Sequence, residues 1–457
     1  MVYSYDTNIS KQTGQPTAVT DANNVTVNSI YNPSNGRAIA VGALNDVYLS
    51  YTYTNGRLSA LQRAGYIPGS STEQRQTYNI TYNGFGSMTG VSVGTRNLAT
   101  YTYGNANGLL QEMSYGNGAS VSYDYDKLER ISNVYYNNST SPAASYIYSG
   151  NGGLGRVTDN AAGKVTDYSY DSLNRLTSMT ERYGTYGVQV YLANYDSSNR
   201  VSQTGYKLSP AWNGVFRDNR IYSYTYNSAD GSLSTMALPA NGQYAYTYDG
   251  LKRLTTRSLS LNGNGFLTRG YTYVPGAGTN STTMLVGGLT NKKGNTTLSS
   301  YTYTYDNVGN ITAIGGTTPA SYTYDSHGQM LTETVNGVTY TYAYDTYGNI
   351  RSVSDGTNTY AYTYGDSNWK DLLTAYRGQT ITYDQIGNPT HWYNGNNFTW
   401  VNGRRLGTIT TSTGSIVASY TYDVDGLRQM KTVGGVEHRY VRQGNKLVSE
   451  YWGRKGA

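Results

Sequence analysis

The sequence has no cysteine, so disulfides and thiolate chemistry are excluded while every redox compartment stays open. It has three histidines, His327, His391 and His438, far apart and without a His-x-x-x-His pair, so no zinc site is expected. A Ser-His-Asp triad would have to be assembled from distant residues that nothing marks as a set. Charged residues are 14% of the chain, against roughly 25% in ordinary soluble proteins, which argues against a charge-rich disordered chain. No apolar run approaches the ~20 residues of a membrane span, so this segment is not expected to insert into a membrane. The start, Met1 to Asp6, carries no signal-peptide pattern. Helical periodicity is scarce throughout.

What is abundant is tyrosine and glycine, 52 and 54 residues, and they recur in register. From Ser300 to Glu333 one unit occurs twice: Tyr-x-Tyr-Asp-x-x-Gly, a polar residue, then an aliphatic one. The first copy holds Tyr303, Tyr305, Asp306, Gly309, Asn310 and Ile311; the second holds Tyr322, Tyr324, Asp325, Gly328, Gln329 and Met330. Tyr342, Tyr344, Asp345 and Gly348 follow, so the period is near 20 residues. Alternating tyrosine and threonine place every tyrosine on one face of a pleated strand, and both residue types suit such a surface. The aspartate can accept hydrogen bonds from amides two or more residues on, and the glycine takes the positive φ of the turn. Asn336-Gly337 is a type I′ hairpin signal that returns the chain to the next tyrosine strand. Each unit therefore reads as two strands and two turns, with tyrosine standing in for an aliphatic core. Neighbouring tyrosines are expected to pair across strands. A polar, aromatic prion-like segment is the competing reading, but its turn residues would not recur in fixed register.

Residues 1–50 are degenerate, 51–299 hold irregular repeats, and 300–457 hold tight ones that include Asp384 with Gly387 and Asp423 with Gly426. The whole chain, 1–457, reads as one continuous array and as a fragment of something longer. The interval widens to 31 residues between Asp196 and Asn227 and to 32 between Val274 and Asp306, where longer loops are expected. In Asp126…Arg130, Asp171…Arg175 and Asp249…Arg253 opposite charges lie four residues apart and can staple a hairpin weakly. The net charge of +6 is spread over single basic residues, without the clustered face that nucleic-acid binding needs. One carboxylate per turn is too few for calcium. Trp212, Trp369, Trp392, Trp400 and Trp452 are either packing residues or sugar-stacking platforms.

These units resemble the tyrosine–aspartate (YD) or RHS repeats of bacterial polymorphic toxins, of the TcB–TcC shells of insecticidal toxin complexes, and of teneurins. Asp345-x-x-Gly348-Asn349-Ile350 and Asp171-x-x-Asn174-Arg175-Leu176 look like that family's D-x-x-G-R/N-L unit, and about a dozen copies cover nearly the whole chain. The resemblance implies an all-β strip of hairpins wound as a spiral, open barrel or partial shell around a toxic C-terminal domain. It implies no catalytic residue, cofactor or metal in the strip. Its partners would be flanking shell segments and a C-terminal toxin domain of the same polypeptide, in a secreted or cell-surface protein. The family's closing D-P-x-G core is missing, since the sequence has no Asp-Pro dipeptide, so self-cleavage is not carried over. The alternative is an adhesin-like module whose aromatic residues hold surface glycans.

Geometry sets an expected size. Roughly 45 strands at ~4.8 Å make a strip on the order of 220 Å long. A wall around a folded ~100-residue domain, about 35 Å across, would have a circumference near 160 Å. The strip should then make one to two turns and stay open at one end or more, with threonine and serine on its more polar, outward face.

Overall fold

The computed structural model describes residues 1–5, 15–22, 24–43, 47–66, 73–183, 186–208, 218–443 and 446–454. These form 41 strands, and no helix occurs among the described residues. Each strand pairs antiparallel with the next one in sequence, from Val2–Tyr5 through to Gln379–Thr380, giving a 33-stranded sheet. An 8-stranded sheet continues from Thr382–Tyr383 to Lys446–Arg454. The fold class is all-β, a tandem array of hairpins.

The alternation of residue types sets the two faces. In Thr359–Thr363 the threonines and Ala361 are exposed and the tyrosines half-buried; Ala320–Tyr324 repeats the pattern. On the exposed face threonine hydroxyls pair across strands, as Thr323 with Thr332 at 2.6 Å and Thr399 with Thr408 at 2.7 Å. On the other face rings do meet, as Tyr362 with Tyr376 at 4.8 Å, but the recurring device is the hydroxyl. The second tyrosine of a unit donates to the carbonyl of the aliphatic residue paired with the second tyrosine of the preceding unit. Tyr305 reaches Val286 O at 2.7 Å, Tyr324 reaches Ile311 O at 2.7 Å and Tyr344 reaches Met330 O at 2.8 Å. Each unit is thereby tied to the one before it, and a half-buried phenol keeps its hydrogen bond.

Curvature has a local cause. The register shifts immediately before that second tyrosine, at Ser169/Tyr170, Thr304/Tyr305, Thr323/Tyr324, Ala343/Tyr344 and Thr421/Tyr422. A bulge bends its strand and raises the local twist. Repeated at the same edge of successive hairpins, it coils the strip. The wide interval before Asp306 holds no long loop: it is taken up by the 12-residue strands Asn264–Pro275 and Thr282–Lys293. The other wide interval contains residues 209–217, which lie outside the described set.

The coil brings the strip back onto itself. Gln76 Nε2 donates to Asn368 O at 3.0 Å across 292 residues, and Arg96 Nη1 donates to Asp384 O at 3.0 Å across 288. From the seventh strand to the region after the thirty-first, one winding takes about 24 strands, or about 120 Å at ~4.8 Å each. The wall is tighter than the 160 Å drawn around a folded cargo, because bulges and turn geometry set its radius.

Candidate functional site: the seam between windings

A hairpin strip has two edges. One carries the aspartate turns; the other, the return edge, carries the turns that lead back to the next tyrosine strand. Where the windings meet, the return edge of the first, residues 76–183, lies against the aspartate edge of the second, residues 345–426.

The aspartate turn is built alike in the tight repeats. Asp306 Oδ1 accepts from Val308 N at 3.0 Å and from Asn310 N at 2.8 Å, and Gly309 has φ 98°. Asp325 accepts from His327 N and Gln329 N, and Gly328 has φ 75°. Both turns lie on an uncovered edge. In other units an arginine follows the turn. Arg175 pairs with Asp171 at 2.6 Å and lies 4.3 Å from the ring of Tyr195, in the next unit. Arg253 pairs with Asp249 at 2.5 Å and lies 4.0 Å from Tyr273. These arginines therefore link successive hairpins through the ring as well as stapling their own, which charge spacing alone did not reveal. Tyr303 and Tyr322 share the half-buried face, and Tyr342 donates to Glu333 Oε2 at 3.2 Å.

Asp345, Asp384 and Asp423 make the same turn but sit in the seam. Tyr347 and Ile386, each two residues past its aspartate, are 2% and 0% exposed. The amide of Asn117 donates to Asp384 Oδ2 at 2.8 Å and to Gly403 O at 3.0 Å. Asn388 reaches the same two oxygens from the other winding, each at 2.7 Å. Arg96 adds an ion pair with Asp366 at 2.5 Å, and Gln76 accepts from Lys370 N at 2.7 Å. Space is tight as well: a Cβ on Gly387 would lie 2.6 Å from the Trp369 ring, and one on Gly348 would lie 2.9 Å from Arg63 Nη2. Around Gly309 the nearest atom would be Leu285 Cδ2 at 4.0 Å. Gly309→Val should therefore cost only the strain of positive φ, about 1–2 kcal/mol, and stay local. Gly387→Val should in addition raise hydrogen exchange at residues 76–117 of the first winding, which Gly309→Val leaves unchanged.

Further along, the seam holds buried charge. Lys164 Nζ lies 3.3 Å from Glu181 Oε1 and 3.6 Å from Asp423 Oδ2. Asp159, 1% exposed, accepts from Ala162 N at 2.9 Å and from Val424 N at 2.7 Å. Arg405 donates to Tyr136 Oη at 3.0 Å and to Val424 O at 3.0 Å, and its side chain approaches Gly426. Burial raises the pKa of Asp159 against the pull of those amides and Lys164. Burial opposes the Lys164 ammonium, but Glu181, Asp423 and Asp159 together hold its pKa above the ordinary value. On the uncovered edge the sign is opposite: the guanidinium and turn amides hold Asp126, Asp171 and Asp249 below the usual carboxylate range. Acid should therefore act on the two regions in opposite directions. A depressed carboxyl contributes stability that is lost as pH falls through its folded pKa; a raised one contributes stability that is lost as pH rises. Between about pH 6 and pH 3, exchange protection corrected for intrinsic rates should fall at 126–130 and 171–175 and hold or rise at 159–164.

Sequence reasoning missed Gln76, Arg96, Asn117, Asp159, Lys164 and Glu181, and no local signal marks them. The tryptophans that can be placed are mostly committed to packing. Trp369 donates to Tyr78 Oη at 3.0 Å in the seam, Trp400 donates to Pro389 O at 2.7 Å, and Trp392 packs on Phe398. Trp452 is exposed, and Trp212 lies outside the described residues. His391 meets Asn397, and His438 meets Glu450. Among the described residues no helix is long and apolar enough to cross a membrane.

A strip of antiparallel hairpins wound past its own edge and sealed there is the wall of a β-shell. The resemblance to YD/RHS repeats holds on comparison: the family model "RHS Repeat" matches residues 148–186. The crystal structure of TcdB2-TccC3 without its hypervariable C-terminal region is similar, with TM-score 0.56 and 15% identity, over 99% of this chain and 27% of that one. TcdB2-TccC3-Cdc42 is similar at TM-score 0.52 and 15% identity, over 92% and 27%. The Tc holotoxin pore of Photorhabdus luminescens is similar at TM-score 0.52 and 13% identity, over 96% and 27%. The chain thus spans about a quarter of the length of the solved structures it matches. No curated protein matches it. At these identities the likeness is one of fold.

Proposed function

We propose that this chain is a non-catalytic wall segment of a hollow shell that encloses a toxin or effector carried on the same polypeptide, in a secreted or cell-surface protein. The observation that carries the reading is the seam: the strip closes a full winding and is joined there by side chains of both turns. Flanking shell segments and a C-terminal toxin domain remain the expected partners. A winding of about 120 Å is about 38 Å across at the backbone if circular, and inner side chains leave about 28 Å. A folded ~100-residue domain of about 35 Å does not fit that ring. The cargo at this level is therefore a less compact chain, with any folded domain beyond the open ends.

The test appends a flexible peptide of about 30 residues, carrying one protease site, after Ala457. Cleavage at least about tenfold slower than in the free peptide, in intact protein, is the expected result. Equal rates would remove enclosure from the role and leave only the wall.

A further inference from the structure

Several arginines of the strip are answered by a carboxylate. Arg130, Arg175, Arg200 and Arg253 each hold the aspartate of their own turn. Arg156 and Arg182, opposite the tyrosine face, share Asp167. Arg257 and Arg269 are different. They stand directly opposite each other on the antiparallel strands Leu254–Leu261 and Asn264–Pro275, an arrangement in which like charges are destabilising. Both belong to the tyrosine face, since Arg257 pairs in register with Tyr246 while Gln243 and Thr247 hold the exposed face. Each guanidinium is nonetheless held in place. The Arg257 guanidinium carbon lies 5.3 Å from the centre of the Tyr244 ring, within cation–π range. Arg269 Nε donates to Asn291 Oδ1 at 2.8 Å, and Asn291 Nδ2 donates to Ser299 Oγ at 2.9 Å. Among the described residues no hydrogen bond or ion pair engages the terminal guanidinium nitrogens of either arginine. The two arginines line a cavity of about 260 Å³ together with Lys292, Tyr244, Leu259 and Leu267. It lies on the face of the sheet, between strands that are paired on both sides.

We propose that this cavity binds an acidic polypeptide segment, with a carboxylate set between the two guanidinium groups and an apolar side chain against Tyr244, Leu259 and Leu267. A carboxylate there accepts charge-assisted hydrogen bonds from both arginines and relieves the repulsion between them. Lys292 adds a third positive charge to the same cavity. The volume is below the range of about 300–1,000 Å³ that encloses a drug-sized ligand, so it suits side chains of a longer chain lying across it. The apolar half of the lining favours a polypeptide over a phosphate backbone, which would leave those leucines without a partner. The proposal rests on the enclosure reading for the source of the segment, the chain carried on the same polypeptide, because the tyrosine face is the one that reading turns towards the cargo. The binding chemistry itself belongs to this strip.

Fluorescence anisotropy tests it on the full chain, with a short dye-labelled peptide of alternating glutamate and leucine. The peptide should bind with a Kd between about 10 and 500 µM. Arg257→Gln with Arg269→Gln should weaken binding by about tenfold or more, with an unchanged infrared strand band as the check on folding. Arg156→Gln with Arg182→Gln removes the same charge from the opposite face and should change it by less than about twofold. A peptide with glutamine in place of glutamate should also lose about tenfold or more. Equal losses in the two double variants, equal binding of the glutamine peptide, or displacement by acetate as readily as by unlabelled peptide would each overturn the proposal. So would tighter binding of a single-stranded oligonucleotide that the Arg257 and Arg269 variant loses, since the cations would then serve phosphates. A second measurement needs no ligand. Arg257→Gln removes one of two facing charges, so the thermal midpoint should rise at about 10 mM salt and the gain should fade at about 500 mM. A lower midpoint would mean that no unmet charge is stored there, and the proposal would fall. Because the peptide is added from outside, binding without protease protection of an appended tail would keep this site and remove enclosure.

Discussion

Ile386→Asp should destabilise the seam by about 3–5 kcal/mol, while Leu173→Asp, at the same position of the same turn, should cost less than about 0.5 kcal/mol. Both residues stand two after an aspartate whose Oδ1 accepts their amide, at 3.1 Å for Ile386 and 3.0 Å for Leu173. They differ only in what lies over them. Ile386 is fully buried, in the turn to which Arg96 and Asn117 donate from the first winding. Arg96, the cation that donates to this turn, is already paired with Asp366, so a carboxylate there must either stay protonated or force the windings apart. Leu173 faces solvent. Hydrogen exchange should rise in Ile386→Asp at two segments far apart in sequence, around 76–117 and around 384–403. Small-angle scattering should show a larger radius as the ring opens. Equal costs for the two substitutions would mean that the seam is not what closes the winding.

That comparison also separates what was legible in the sequence from what was not. The Asp306 turn and the tyrosine–threonine alternation involve residues at most a few positions apart, so spacing alone is enough to read them. The bond from Tyr324 to Ile311 O spans 13 residues and stays within one period, yet it is invisible to a pattern that counts only apolar and polar positions. The arginines were read halfway: their own aspartate is four residues back, whereas Tyr195 and Tyr273 lie in the following unit. The seam was not legible. Its partners are 259 to 294 residues apart, and which turns meet depends on how many strands make one winding. That number follows from curvature, and curvature from bulges that no residue type announces. An apolar residue after the turn aspartate marks an edge suited to being covered, but Leu128 and Ile386 look alike until the strip is coiled.

The sharpest electrostatic consequence concerns Lys164. Its ammonium is placed between Glu181 and Asp423, whose side chains are 8% and 5% exposed, and is itself 12% exposed. Burial penalises all three charges, and the arrangement holds because attraction and hydrogen bonds offset that penalty; Glu181 also accepts from Tyr183 Oη at 2.8 Å. Lys164→Met keeps most of the stem volume and removes only the charge. It leaves Glu181, Asp423 and Asp159 close together, and at neutral pH should cost about 3–5 kcal/mol, the scale for stranding a buried partner. The sign of the pH dependence follows from the proton. With the cation gone, the carboxyls take up protons more readily when folded than when unfolded, so folding gains as pH falls. The deficit of Lys164→Met against the unaltered chain should therefore shrink from about pH 7 towards pH 4, and Lys164→Arg should retain part of the stability at every pH. The measurement is denaturant unfolding across that range, with exchange at 159–183 and 423–426 locating the loss. A deficit independent of pH would mean that Lys164 acts by packing alone and that the seam's carboxylates do not need it.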